Sequence, residues 1–173
     1  MSELIVVSGP PGAGKSTVAR LLAEKYAPSA LVVGDAFFGF LRTGYVEPWL
    51  AEAATQNETV LRAAATAVNA YVTGGYATIY DGVVGPWMIG AFAQAANVPR
   101  LHYVVLLPTV ECCVERALAR SEDSLRDADA IRQLHREFAA AEFDPRHVLR
   151  SDDDPTEQLQ LAIQNGSLLY RGP

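Results

Sequence analysis

The chain has 173 residues, a length that suits one domain with a hydrophobic core of its own. Hydrophobic residues make up 50% of it and charged residues 20%, which excludes the composition of an intrinsically disordered chain. The net charge of −6 argues against general nucleic-acid binding, because proteins with that function are normally basic.

Short apolar runs, which predict strands, alternate along the chain with segments of helical spacing, which predict helices. In chain order we predict strand Leu4–Ser8, helix Lys15–Tyr26, strand Ala30–Gly34, helical turn Phe37–Leu41, helix 48–72, strand Ala77–Tyr80, helix Pro86–Ala96, strand Leu101–Leu107, helix Val110–Arg120, loop Ser121–Asp127, helix Ala128–Ala141, strand His147–Arg150 and helix Pro155–Asn165. This alternation predicts a single α/β domain over residues 1–173, in which helices cover both faces of a parallel sheet. Ligands of such sheets bind at the carboxyl ends of the strands.

Neither a secretory signal nor a membrane span is predicted. The first residues lack a basic segment, a long apolar run and a small-residue cleavage site, and no uninterrupted apolar run reaches about 18 residues. Cys112 and Cys113 are adjacent and have no third partner, so they indicate neither a disulfide framework nor a zinc site. We therefore expect a cytoplasmic protein without a membrane partner.

A phosphate-binding loop is predicted between the first strand and the first helix. The sequence matches G-x-x-x-x-G-K-[ST] in that context, over Gly9, Pro10, Pro11, Gly12, Ala13, Gly14, Lys15, Ser16 and Thr17. The glycines let backbone N–H groups point at phosphates, and the following helix N-terminus adds positive potential. In this motif Lys15 reaches the β- and γ-phosphates, and the Ser16 hydroxyl is a ligand of Mg²⁺. A dinucleotide fingerprint does not fit, because Thr17 replaces its third glycine.

Two carboxylates follow predicted strands on the same side of the sheet. Asp35 comes after the second strand and can accept a proton from an attacking hydroxyl or orient it; alternatively, it only caps the next helical turn. Asp81 comes after the third strand and can hold a magnesium-bound water; alternatively, it is a turn aspartate before Gly82. Both positions are near the expected γ-phosphate, so the two roles are interchangeable at this stage.

Three arginines predict a lid over the nucleotide, in the region of about residues 116–130. Arg116 and Arg120 lie four residues apart on one helical face, and Arg126 follows in the polar loop. Positioned cations lower the barrier to phosphoryl transfer, and we take Arg120 as the first candidate for that role. The alternative is a solvated surface on which Arg116 pairs with Glu115 or Glu122.

The acceptor site is predicted from residues that follow the second and third strands. Small-molecule pockets are mostly apolar and aromatic, with a few polar anchors. Arg42, Trp49 and Trp87 are the preferred candidates, beside Asp35 and Asp81.

With these residues in place, the chain resembles small P-loop kinases of the nucleoside and nucleotide kinase type, and its layout is similar to chloramphenicol phosphotransferase and to tunicamycin-resistance and gluconate-kinase-like proteins. The segment Val33–Phe37 resembles the one whose aspartate deprotonates the acceptor in chloramphenicol phosphotransferase, which implies that role for Asp35. The resemblance also implies a three-layer P-loop fold with strand order 2-3-1-4-5. It further implies an adenine site between the lid arginines and Arg150–Pro155. In adenylate kinase Asp-Gly is followed by nucleotide-binding residues, and Val83–Trp87 replaces them here, which argues against a nucleoside monophosphate acceptor.

The sequence therefore predicts an enzyme that uses ATP with Mg²⁺ and transfers the γ-phosphate to a hydroxyl of an antibiotic, a nucleoside-type natural product or a sugar. GTP stays open as the donor, and the missing guanine motif [NT]-K-x-D argues against a GTPase. Two alternatives remain: a nucleotide-dependent ATPase or switch without an acceptor, and a toxin-like kinase that acts on a nucleotide sugar or a nucleic-acid end. The sequence leaves the acceptor and the oligomeric state open.

Overall fold

The computed structural model describes residues 2–119, 127–142 and 144–172. Within these residues, five parallel strands form one sheet in the order β2-β3-β1-β4-β5. The strands are β1 Leu4–Ser8, β2 Ser29–Val33, β3 Ala77–Asp81, β4 Leu101–Leu106 and β5 Val148–Leu149. The predicted parallel sheet is confirmed, and so is the strand order that the resemblance implied.

Helices cover both faces of this sheet. They are α1 Lys15–Ala23, α2 Asp35–Phe38, α3 Ala54–Thr73, α4 Pro86–Ala96, α5 Val110–Leu118, α6 Ala128–Ala140 and α7 Thr156–Gln164, with 3₁₀ turns at Ala51–Ala53 and Pro145–His147. One face packs on α3 and α4 around Tyr80 and Phe92, and the other packs on α1, α5 and α7 around Ile79 and Val104. The predicted three-layer architecture is therefore confirmed.

The central strands read as continuous apolar runs because both of their faces are buried. β1, β3 and β4 are buried at every position, as expected of parallel strands between two helical layers. β2 lies at the edge of the sheet, where Leu31 and Val33 are exposed. None of the helices described over residues 2–119, 127–142 and 144–172 has the length and apolar character needed to cross a membrane.

Several predicted boundaries are wrong by a few residues, for local reasons. α1 ends at Ala23 rather than Tyr26, because the N–H groups of Lys25 and Tyr26 donate three residues back in a tighter turn. α3 begins at Ala54 rather than near Pro48, because a 3₁₀ turn precedes it.

Two further corrections affect the strands. β2 ends at Val33, and Asp35 is the first residue of α2, since Phe37 N–H donates to the Gly34 carbonyl at 3.0 Å. The predicted helical turn Phe37–Leu41 therefore begins two residues earlier than expected. β5 is only two residues long, because His147 belongs to the preceding 3₁₀ turn.

The strand register brings the predicted site residues to one edge of the sheet. Val7 of β1 and Val33 of β2 both lie opposite Asp81 of β3. The phosphate-binding loop follows β1 and Asp35 follows β2, so the two segments flank Asp81. The fold thus places the loop and both carboxylates at the carboxyl ends of three adjacent strands.

Two buried histidines lie outside this edge. His102 of β4 is fully buried, with Nε2 at 3.1 Å from Oε2 of buried Glu3. His147 Nδ1–H donates to the Tyr103 carbonyl at 2.8 Å, and its Nε2 accepts from Arg146 Nε at 3.2 Å. Burial lowers the pKa of both imidazoles and outweighs the opposing effect of Glu3 on His102. Both imidazoles therefore bind a proton less readily in the folded protein than in the unfolded chain.

We expect the free energy of unfolding to fall as pH drops below about 6.5, the usual pKa of histidine. In that range the unfolded chain binds protons that the folded chain does not, so acidification favours unfolding. The slope is at most about 1.4 kcal/mol per pH unit for each histidine. Urea unfolding between about pH 7.5 and pH 5.5 measures it. His102→Gln should reduce the slope, and a slope unchanged by that substitution would contradict the assignment to His102.

Candidate active site

The loop between β1 and α1 is shaped by three glycines in backbone conformations that side chains disfavour. Gly9, Gly12 and Gly14 have φ values of 140°, 80° and 93°. A Cβ at Gly12 would overlap the carbonyl oxygen of Cys113 in α5, and a Cβ at Gly9 would overlap the carbonyl oxygen of Leu106. Gly9 and Gly12 therefore pack directly against the backbone of β4 and α5. The backbone of the loop itself forms a cradle without side chains at its glycines.

Gly12→Ala should disrupt this cradle. The substitution adds the overlap with Cys113 to the cost of a left-handed alanine, which is about 1–2 kcal/mol. Gly44→Ala is the matched control, because Gly44 has φ 72° and open space around its Cα. We expect both variants to lose stability in urea unfolding, Gly12→Ala more so, and only Gly12→Ala to lose nucleotide affinity in calorimetry. Equal losses in both variants would contradict the packing role of Gly12.

Lys15 and the first turn of α1 supply positive potential to the cradle. The Lys15 side chain is largely buried, and its Nζ donates to the Pro10 carbonyl at 2.9 Å across the loop. Gly14 caps α1 without a side-chain hydrogen bond, and the first turn contains no acidic residue. The dipole of α1 is therefore not neutralised there, which favours an anion. Ser16 and Thr17 are exposed on the same turn.

The two predicted carboxylates differ in exposure. Asp35 is exposed on the first turn of α2, whereas Asp81 is 5% exposed at the end of β3. Their segments are joined by the Gly34 N–H, which donates to the Asp81 carbonyl at 2.7 Å. Of the two carboxylates, Asp35 is thus the more accessible to a solvent-borne molecule.

Tyr80 is a residue of this site that the sequence analysis missed. Its hydroxyl lies under Gly34, where a Cβ would overlap it, and its ring packs on Phe92 with centroids 4.8 Å apart. Burial raises the pKa of Tyr80 strongly, with smaller contributions from the charges of Asp35 and Asp81. Tyr80 therefore stays a neutral phenol. It packs beneath Gly34, between the segments that carry the two carboxylates. The apolar run of β3 predicted a strand but gave no sign of this position.

Ser8 is a second residue that the sequence analysis missed. Its hydroxyl donates to the Val84 carbonyl at 2.8 Å and accepts from the Val84 N–H at 2.9 Å. Tyr103 also donates to the Val84 carbonyl, at 2.6 Å. These buried bonds fix the segment after β3 beside the start of the phosphate-binding loop. A serine at the end of an apolar strand is the only hint of this that the sequence contains.

A cleft of about 460 Å³ opens beside the loop. It lies between the first turn of α1, α5 and the segment after β5, and is lined by Ala13, Gly14, Thr17, Val18, Leu106, Arg116, Ala119, Leu149, Ser151, Asp153, Asp154 and Pro155. Arg116 donates through Nη2 to the Asp152 carbonyl oxygen rather than to Glu115. The structure thus brings Arg116 and the segment after Arg150 together beside the phosphate-binding loop.

The other predicted lid residues lie outside the described residues. These are Arg120, Arg126 and most of the loop Ser121–Asp127, so their proposed roles stay predictions. Of the lid region, the structure describes residues 116–119 at the end of α5 and residues 127–130 at the start of α6.

The acceptor candidates occupy two segments that follow β2 and β3. Arg42 is exposed and Trp49 half-buried in the segment between α2 and α3. Side chains of α3 hold this segment, since Asn57 donates to the Pro48 carbonyl at 2.7 Å and Gln56 makes two hydrogen bonds with the Val46 backbone. Between described residues, no hydrogen bond or ion pair joins Arg42 to a carboxylate.

Trp87 follows β3 on the first turn of α4. It is 53% exposed, and one side of its ring packs on Phe138 of α6 with centroids 5.3 Å apart. Phe40 is 73% exposed just after α2, in an edge-to-face contact with Phe37. Exposed aromatic rings thus follow both strands whose ends carry the carboxylates.

The residues present fit a magnesium-bound nucleoside triphosphate. Gly9 and Gly12 of the cradle have no room for a Cβ, and the Lys15 ammonium and the α1 dipole favour phosphate. No group of three or more His, Cys, Asp or Glu suited to a metal occurs among the described residues. Ser16 and Asp81 offer hard oxygen donors, and Mg²⁺ typically takes only one or two protein ligands beside phosphate and water.

Residues 4–142 of the chain match a family model described as an AAA domain. The structure is similar to a sugar kinase from Janibacter sp. HTCC2649, with a TM-score of 0.72, 17% identity, and 97% of this chain and 96% of that one covered. It is also similar to the tunicamycin resistance protein of Deinococcus radiodurans, with a TM-score of 0.66, 17% identity, and coverage of 100% and 99%. The Mycobacterium tuberculosis APS kinase, solved with AMPPNP and APS, gives 0.65, 16% identity, and coverage of 94% and 96%. No curated protein sequence matches the chain.

Proposed function

The chain belongs to the AAA domain family, and from this premise we propose that it is an ATP-dependent phosphotransferase that moves the γ-phosphate to a hydroxyl group of a small molecule. The observation that carries the proposal is the glycine cradle with Lys15, set beside two carboxylates at adjacent strand ends. The cradle supports binding of the triphosphate, and the exposed Asp35 supports activation of an acceptor.

In the proposed reaction, the acceptor oxygen attacks the γ-phosphorus while the bond to the β-phosphate oxygen breaks, and ADP leaves. The Asp35 carboxylate accepts the hydroxyl proton. Lys15 and the backbone N–H groups of the loop stabilise the negative charge that spreads over the transferring group.

Bound Mg²⁺ would supply further charge neutralisation, with Ser16 as its ligand and Asp81 holding one of its waters. The burial of Asp81 supports this assignment, because the acceptor has easier access to exposed Asp35. The alternative exchanges the roles of the two carboxylates.

The cleft beside α1 is the proposed site of the nucleobase. Val18, Leu149 and Pro155 offer apolar contacts to its faces, while Asp153 offers a carboxylate to an amino group. Adenine and guanine both carry such a group, so the donor is ATP, or GTP as the alternative.

The acceptor is proposed to bind over α2 and the segment that leads to α3. Residues 35–62 contain four acidic and two basic side chains, so this part of the chain carries a net charge of −2. A polyanionic acceptor would be repelled there, whereas the exposed rings of Phe40 and Trp87 favour one with an apolar body. An antibiotic or a nucleoside-type natural product meets these conditions better than a phosphorylated sugar does.

The test is an acceptor panel of antibiotics, nucleosides and sugars with Mg·ATP or Mg·GTP, read by mass spectrometry for a product heavier by one phosphate group. We expect ADP release that rises sharply with one class of acceptor. Slow hydrolysis that no acceptor stimulates would instead indicate an ATPase or switch. Phosphorylation of only nucleotide sugars or nucleic-acid ends would indicate the toxin-like alternative.

A further inference from the structure

Asp152 holds the segment after β5 against the start of α5. Its Oδ1 accepts from the Thr109 backbone N–H at 2.9 Å and lies 3.2 Å from the Thr109 hydroxyl, which is 3.1 Å from Oδ2. The same hydroxyl oxygen accepts from the Cys112 N–H at 3.4 Å and so caps α5. One carboxylate therefore joins the segment after β5 to the N-terminus of α5.

The backbone of Asp152 also fixes Arg116. The Arg116 guanidinium donates through Nη2 to the Asp152 carbonyl oxygen. Its Nη1 lies 3.8 Å from the position that a Cβ would take on Gly14, next to the phosphate-binding loop. The orientation of that carbonyl is constrained by the contact of its own side chain with Thr109.

Asp152 itself does not line the cleft, whereas Ser151 and Asp153 on either side of it do. Any influence of Asp152 on a ligand in the cleft therefore passes through its neighbours or through Arg116. The arrangement differs from that of Asp154, whose Oδ1 accepts from the N–H and hydroxyl of Thr156 at the start of α7.

We propose that Asp152 is a positioning residue that fixes Arg116 beside the phosphates of the bound nucleotide. Asp152 thereby links the segment after β5, which borders the proposed nucleobase site, to Arg116, which lies beside the proposed phosphate site. This inference rests on the proposed function, because it takes the cleft as the nucleotide site. A carboxylate suits the role because it accepts both Thr109 donors at once, with bonds strengthened by its charge.

The test is a double-mutant cycle with Asp152→Asn and Arg116→Ala, read as the dissociation constant of Mg·ADP in calorimetry. Asp152→Asn should weaken binding about 10-fold in the wild-type background, the usual effect of losing a charged hydrogen bond. In the Arg116→Ala background the same substitution should change binding by less than about 2-fold. Additive losses, or unchanged affinity in both backgrounds, would overturn the proposal.

Asp144→Asn is the matched control. Asp144 also accepts a backbone N–H at the start of a turn, from Arg146 at 3.1 Å, but it lies outside the cleft. It should lower stability in urea unfolding and leave Mg·ADP affinity unchanged. Thr109→Val gives a second route, because it removes the hydroxyl that contacts Asp152, and its effect should also vanish without Arg116. If the wild-type chain does not bind Mg·ADP, the proposed function fails together with this inference; if it binds and the losses add, only the positioning role fails.

Discussion

Lys15→Ala is expected to lower kcat by about 100- to 1,000-fold, the usual effect of removing one positioned donor from a transition state. The Lys15 side chain is largely buried within the loop, where its ammonium donates to the Pro10 carbonyl at 2.9 Å, and alanine leaves no cation at that position. Binding of Mg·ATP should weaken as well, because the proposed function places the same ammonium against the phosphates of the bound nucleotide. Steady-state ADP release with the best acceptor measures the first effect, and calorimetry measures the second.

Lys25→Ala is the matched control for this prediction. Lys25 is exposed beyond the end of α1 and lies outside the cleft. Its loss should change neither kcat nor nucleotide affinity. Circular dichroism of both variants would separate a lost contact from a lost fold. Activity of Lys15→Ala within a few-fold of the wild type would refute the phosphate site itself.

Asp35→Asn is expected to lower kcat by about 100- to 10,000-fold, the range typical of a general base. Asparagine keeps the shape of the side chain but no longer accepts the proton of the acceptor hydroxyl. Because Asp35 is exposed and begins α2, the substitution should leave the fold and the affinity for Mg·ATP intact. The signature is thus a loss in kcat at constant nucleotide affinity.

Two comparisons make the Asp35 prediction specific. Glu157→Gln alters another exposed acid on the first turn of a helix, α7, away from the proposed acceptor site, and should leave kcat unchanged. Asp81→Asn should weaken the dependence of the rate on Mg²⁺ if Asp81 holds the water of the metal. Normal turnover by Asp35→Asn together with a loss of kcat in Asp81→Asn would exchange the two assignments.

The sequence could predict whatever depends on contiguous residues. The motif of residues 9–17 follows β1 and runs into the first turn of α1 as expected, since its glycines and the apolar run before it determine the local geometry. The family match to an AAA domain and the shared fold with a sugar kinase and a tunicamycin resistance protein confirm the resemblance that the motifs suggested. The roles of Asp35, Asp81, Arg116 and the acceptor residues stay proposals.

Contacts between distant segments could not be predicted in the same way. Asp152 and Thr109 are 43 residues apart, and Ser8 and Val84 are 76 residues apart, so no local pattern relates them. The sequence analysis began the helical turn after β2 at Phe37 rather than Asp35, because helix starts depend on hydrogen bonds that a few residues can shift. It named Arg116 as part of a lid but had no means of finding the carbonyl that holds it.

By itself, the sequence determined the alternation of strands and helices, the phosphate-binding loop and the identity of the two carboxylates, because hydrophobic period and glycine spacing act over a few residues. Only the tertiary structure decided that Asp81 is buried while Asp35 is exposed. It also decided that Tyr80 packs beneath Gly34 between them and that Asp152 connects α5 to the segment after β5. The physical reason is that burial and long-range hydrogen bonds arise only when the sheet brings the ends of its strands side by side. The order of the strands in the sheet is not encoded in any single segment of the chain.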